Sequence, residues 1–229
     1  MSTIAENIAK VRSRIREAAQ ASERELTTVQ LLAVSKTQPA IAIRAAAACG
    51  IADFGENYLQ EALQKQQALA DLALCWHFIG PIQSNKTKAI AEHFSWVHSV
   101  DRLKVAERLS SQRPPELPPL NILLQVNISN EQSKAGCTPE DLPALAQAVA
   151  KLPHIQLRGL MAIPLPSTST DAMHEPFARL RKLRDSLGLP LDSLSMGMSH
   201  DLETAISEGA TWVRIGTALF GAREYDQPQ

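Results

Sequence analysis

The sequence has little of what usually marks a protein class. Its three cysteines, Cys49, Cys75 and Cys137, are odd in number, far apart and without a C-x-x-C pair. That excludes a disulfide framework, offers no zinc-ligand spacing and fits a reducing compartment. The six histidines show no H-x-x-x-H spacing, so no metal is expected, and His77 and His98 read as core or rim residues. Aromatic residues make up only 4%, so any core has to be built from Leu, Ile, Val and Ala. Neither charge dominates, with 23 Lys and Arg against 24 Asp and Glu. Without a basic footprint, neither nucleic acid nor an anionic membrane surface is an expected partner. No apolar run approaches the roughly 20 residues that span a bilayer. The opening stretch MSTIAENIAKVRSRIREAAQ lacks the unbroken apolar region of a secretory signal. A soluble, cytoplasmic protein is the expectation.

What the sequence does have is alternation. It opens on an amphipathic helix with Ile4, Ile8, Val11 and Ile15 on one stripe and Ser2 or Thr3 as its N-cap. Short apolar runs then alternate with helical patterns. Strands are expected at 29–34, 52–56, 75–79, 96–100, 122–128, 155–163, 193–196 and 211–215. The helices that follow them are expected at 41–49 (stopped by Gly50), 58–69, 86–93, 101–110, 139–151, 173–187, 199–208 and 217–220. Eight strand–helix units predict an α/β fold, a single (β/α)8 TIM-type barrel with an extra N-terminal helix. A doubly wound sheet would give a similar count, but it usually carries a Gly-rich first turn, and none follows Val34. The Pro-rich stretches 113–119 and 164–170 fit as loops, because the alternation resumes in phase after each. One domain over 1–229 is the expectation.

In such a barrel the turns after the strands share one face and carry the active site. Those turns hold Ser35 and Lys36, Glu56 and Asn57, Gly80 and Pro81, Ser99, Asn127, Met161, Gly197 to Ser199, and Arg214 to Thr217. Lys36 is the one amine among them. The turns after strands seven and eight are where barrels frequently bind phosphate on backbone N–H groups. There Gly197 and Gly216 would let the backbone approach an anion, and Ser199 and Thr217 could add hydroxyls. Each residue alone has an ordinary reading: a solvated lysine, a helix-capping Ser199, a turn glycine at 216. Asp201 and Glu203 would repel a phosphate unless they point away.

The segments Leu32-Ala33-Val34-Ser35-Lys36, Phe54-Gly55-Glu56-Asn57-Tyr58, Trp76-His77-Phe78-Ile79-Gly80 and Ser133-Lys134-Ala135-Gly136 resemble the pyridoxal phosphate homeostasis proteins. So do Ser195-Met196-Gly197-Met198-Ser199 and Val213-Arg214-Ile215-Gly216-Thr217. That family is similar to the amino-terminal barrel of alanine racemase without its second domain. The resemblance implies pyridoxal 5′-phosphate as cofactor, bound as a Schiff base on Lys36. It further implies phosphate contacts from Ser199, Gly216 and Thr217, Arg214 at the pyridine nitrogen, and Asn57 near the ring. The implied role is intracellular storage, protection or delivery of the cofactor, with apo enzymes that use it as candidate recipients.

The chemistry of Arg214 supports a carrier over a catalyst. Arginine only donates, so the pyridine nitrogen beside it would stay unprotonated and stabilise a carbanion poorly. A racemase would also need an acid on the second face of the substrate. Tyr58 and Tyr225 are the only tyrosines, and Tyr225 lies in the tail. The expected protein is therefore non-catalytic, a monomer or weak homodimer. The alternative is an amino-acid racemase or related enzyme completed by oligomerisation. A sugar-phosphate aldolase is a weaker competitor, because such barrels commonly carry their lysine on a later strand.

Overall fold

A computed structural model describes residues 3–129, 135–165 and 170–221, without the side chains of 170–172. Ser133, Lys134 and Tyr225 lie outside the described residues. The chain opens with α1 (Ile4–Ala21), where Thr3 and Glu6 form a reciprocal capping box, so Thr3 is the N-cap. Its stripe of Ile8, Val11 and Ile15 is buried.

Eight strand–helix units follow. They are β1 (Gln30–Val34) and α2 (Ala40–Ala48), β2 (Asp53–Glu56) and α3 (Leu59–Ala68), β3 (Cys75–Phe78) and α4 (Thr87–His93), and β4 (Trp96–Val100) and α5 (Leu103–Gln112). The second half continues with β5 (Leu120–Gln125) and α6 (Leu142–Val149), β6 (Ile155–Met161) and α7 (Thr170–Ser186), β7 (Ser193–Ser195) and α8 (Leu202–Ser207), and β8 (Trp212–Ile215) and α9 (Thr217–Phe220). Every strand pairs in parallel with its neighbour, and β1 pairs with β8, closing the barrel in sequence order. The (β/α)8 barrel with an N-terminal helix is therefore the fold.

The strands are short because each crosses the core only once, and apolar residues such as Leu32, Phe54, Val97, Ile122, Leu124, Leu160 and Val213 are buried in them. The interior is less uniform. His77, Trp96, His98 and Trp212 come from β3, β4 and β8, yet their ring centroids lie 4.9–6.2 Å apart, so they meet across the barrel. Arg158 stands over Trp96 at 5.0 Å. His77 and His98 are fully buried, as the core reading expected.

Some boundaries differ from expectation for local reasons. Strand β5 ends at Gln125, and Val126 beyond it still donates to the Met161 carbonyl while it bridges Cys137. The helix expected from 139 begins at Leu142, because Thr138 Oγ1 accepts the Asp141 N–H and holds those residues in a turn. Ser199 does not cap α8: the Asp201 carboxylate accepts the Met198 N–H at 2.6 Å, and the helix starts after it. Among the described residues no helix is long and apolar enough to cross a membrane.

Candidate functional site

The turns at the carboxyl ends of β1, β2, β7 and β8 surround a cavity of about 230 Å³. Lys36, Asn57, Ser199, Arg214, Gly216 and Thr217, all singled out in the sequence, line it together. Val34, Gln38, Ile79, Ile163, Met198, His200 and Gly221 complete the wall. A smaller space of about 120 Å³ adjoins it, sharing Met198 and His200 and walled by Pro164, Leu165, Met173, Pro176 and Phe177. Gln38 and His200 were not anticipated, since neither sits directly at a strand end.

Lys36 follows β1 on a sharp turn in which Thr37 takes φ 63°. That conformation is held from below. The Thr37 N–H donates to Glu61 Oε1 at 2.6 Å, and Ser35 Oγ donates to Glu56 Oε1 at 2.6 Å. The buried Lys65 ammonium donates to the Ser35 carbonyl at 2.7 Å, to Glu56 at 2.7 Å and to Glu61 at 2.5 Å. Burial raises the Glu56 carboxyl above its ordinary range, while hydrogen bonds from Lys65 and Ser35 pull it back. Its second oxygen, Oε2, is buried without a hydrogen-bond partner among the described residues. Sequence spacing could show the Glu61–Lys65 pair at i,i+4. It could not show Lys65 reaching under β1 to a strand-two carboxylate.

The neighbouring wall, on β8, is built on Arg214. Its guanidinium donates to Ser195 Oγ at 2.8 Å and to the Ala162 carbonyl at 2.9 Å. Burial pulls it down to about 10, still far above neutral pH, so it remains a cation. Behind it runs a buried chain: Ser195 Oγ to His98 Nδ1 at 2.9 Å, His98 Nε2 to His77 Nδ1 at 3.0 Å, and His77 Nε2 to Asp53 Oδ1 at 3.0 Å. Arginine can only donate. With both histidines neutral, every remaining proton can then point the same way, from Ser195 through His98 and His77 to the Asp53 carboxylate. Burial lowers the pKa of both histidines, with His77 and Arg214 adding to the effect at His98.

The glycines of the last two turns have different jobs. Gly197 takes φ 91°, and a Cβ there would lie 2.5 Å from Ala205 Cβ, so it serves the packing of α8 rather than the cavity. Gly216 lines the cavity, where a Cβ would sit a tight 3.2 Å from the Val34 carbonyl. The two acidic residues of this region are engaged elsewhere, Asp201 with the Met198 N–H and Glu203 with Arg14. The Asn57 side-chain oxygen is buried at the cavity with no hydrogen-bond partner among the described residues.

Residues 3–224 match the family described as alanine racemase, N-terminal domain. The pyridoxal phosphate homeostasis protein of Pseudomonas aeruginosa is 72% identical over 228 residues, covering 100% of this chain and 99% of that protein. The protein of the same name from Escherichia coli is 49% identical over 233 residues, covering 99% and 100%. The structure of PipY from Synechococcus elongatus with PLP bound superposes with a TM-score of 0.84 at 41% identity, covering 96% of this chain and 100% of that one.

Proposed function

This chain belongs to the pyridoxal phosphate homeostasis protein family, built on the alanine racemase N-terminal fold, and on that premise we propose that it binds pyridoxal 5′-phosphate in the strand-end cavity as a Schiff base on Lys36. Its role on this reading is to store, protect or deliver the cofactor to apo enzymes, with little or no turnover of amino acids. The observation that carries the reading is the convergence of Lys36, Asn57, Ser199, Arg214, Gly216 and Thr217 on one cavity from four separate strand ends.

The residues present fit the group. An amine stands on one wall and a buried cation on another, and hydroxyl and backbone donors gather at the turn into α9. The Asn57 oxygen, buried without a partner among the described residues, is a polar atom that a ligand can satisfy. Pyridoxal phosphate supplies an aldehyde that condenses with an amine and a ring that withdraws electrons most strongly when its nitrogen is protonated.

Lys36 would anchor the cofactor, while Ser199, Gly216 and Thr217 would hold the phosphate. Arg214 would donate to the ring nitrogen and keep a proton off it. Ser195 and Ala162 accept its hydrogen bonds and fix the guanidinium in place. That arrangement favours holding the cofactor over driving carbanion chemistry.

The test is the visible spectrum of the purified chain, wild type and Lys36→Ala, before and after borohydride. A yellow band bleached by borohydride in wild type and missing in the variant is the expected result. A wild type that stays colourless with added pyridoxal phosphate would overturn the reading. Robust racemisation of alanine by the same preparation would instead favour the alternative, a racemase completed by oligomerisation.

A further inference from the structure

At the floor of the barrel, away from the strand-end cavity, three potential ligands converge. Asp53 and Cys75 open β2 and β3 and stand side by side in register. His77 follows Cys75 by two residues and so projects from the same face of β3. His77 Nε2 lies 3.0 Å from Asp53 Oδ1 and 3.4 Å from Cys75 Sγ, and the three ligand atoms all fall within 4.8 Å of one another. Metal–ligand bonds of about 2.0–2.3 Å at tetrahedral angles put neighbouring ligand atoms roughly 3.3–3.6 Å apart. The His77–Cys75 pair already has that spacing, and the His77–Asp53 pair reaches it by opening a few tenths of an ångström.

The geometry points to a site for one divalent transition-metal ion of the zinc class, held by Asp53, Cys75 and His77 with a fourth position left to solvent. One thiolate, one imidazole and one carboxylate suit zinc, whereas magnesium and calcium prefer oxygen ligands alone. The histidine is already oriented as a ligand must be. Its ring stacks on Trp96 at 5.6 Å with the planes 6° apart, and its far nitrogen lies 3.0 Å from His98 Nε2, which can accept its proton and so fix the ring.

An ion has a way in. The Asp53 side chain is 27% exposed, and the residue borders a cavity of about 260 Å³ beside α1. Arg12 and Arg16 border the same cavity, so the ion's charge has to be offset at its ligands, which one thiolate and one carboxylate do. With a metal on Nε2, the His77 proton must sit on Nδ1 and donate to His98, the reverse of the direction described above.

This site stands apart from the pyridoxal phosphate reading, and its test uses no cofactor. The full chain, stripped by a chelator, is titrated with Co²⁺ as an optical substitute for Zn²⁺. The expected result is a near-ultraviolet thiolate–cobalt absorption that saturates at one equivalent and is displaced by Zn²⁺. Cys75→Ala should lose it, and so should Cys75→Ser, which preserves shape if the alanine variant folds poorly. Asp53→Asn should weaken binding, because it removes the carboxylate that helps offset the ion's charge. Cys49→Ala should leave the titration unchanged. If the wild type shows no such absorption, or Cys75→Ser keeps it, the three groups are only a hydrogen-bonded cluster and the site is refuted.

Discussion

The two walls of the strand-end cavity rest on buried polar clusters of opposite character. Beneath Lys36 the support is ionic: Lys65 is clamped between Glu56 and Glu61, with side chains 7%, 0% and 29% exposed. Beneath Arg214 the support is a run of neutral groups, Ser195, His98 and His77, that meets a carboxylate only at the floor. The difference is one of vulnerability. An ion pair in a dry interior is costly to break on one side, because it leaves a charge without compensation. A neutral chain loses one hydrogen bond at a time, but it resists only while its members stay uncharged.

The largest effect separating the two clusters should come from Lys65→Met. It leaves Glu56 buried without its cation and should cost about 3–5 kcal/mol in urea unfolding. Adding Glu56→Gln should recover part of that loss, and failure to do so would show that packing rather than charge sets the cost. Ser195→Ala removes a group shared by Arg214 and His98 and should cost about 1–3 kcal/mol by the same measurement.

Acidification should single out the neutral chain. Both histidines titrate below the ordinary 6.5 when folded, so as pH falls through that value the unfolded chain takes up protons first. Stability present above pH 6.5 is then lost on acidification, by up to about 1.4 kcal/mol per pH unit for each histidine. His98→Gln should flatten that slope. Glu56 has the opposite sign, because its folded pKa is raised above the ordinary 4.5. The folded state holds that proton longer, so stability falls as pH rises through the raised value. The smallest effect should come from Glu61→Gln, whose partner-facing carboxylate is partly exposed. It should cost under about 1 kcal/mol in a thermal melt.

The sequence disclosed the fold more completely than the supports of the site. Strand alternation and helix stripes are local signals, and β4 and α9 fall at the expected residues. The cavity residues were legible because barrel geometry sends every strand end to one face. Lys65 was not, because its burial depends on Glu56, nine residues away on a strand. Asp53, Cys75 and His77 escaped for a related reason. Ligand patterns are sought at short spacings in one segment, and here strand register brings Asp53 across from another. Ser199 stands in a turn but does not cap the helix, which begins three residues later at Leu202, after the Asp201 carboxylate has turned back to accept the Met198 N–H.

The first helix has a consequence in time as well as in space. Asn7 donates to the Leu219 carbonyl at 2.9 Å, Arg14 pairs with Glu203 and donates to the Ser199 carbonyl, and the seam beside them joins β1 to β8. These contacts span 212, 189 and 185 residues of chain. A ribosome emits α1 and its early neighbour α2 long before α8 and α9 exist, so the part of the stripe those late helices cover must wait exposed or be sheltered until they arrive. Closing the ring and seating that helix are therefore bound into one late event, set by the longest loops the chain has to close.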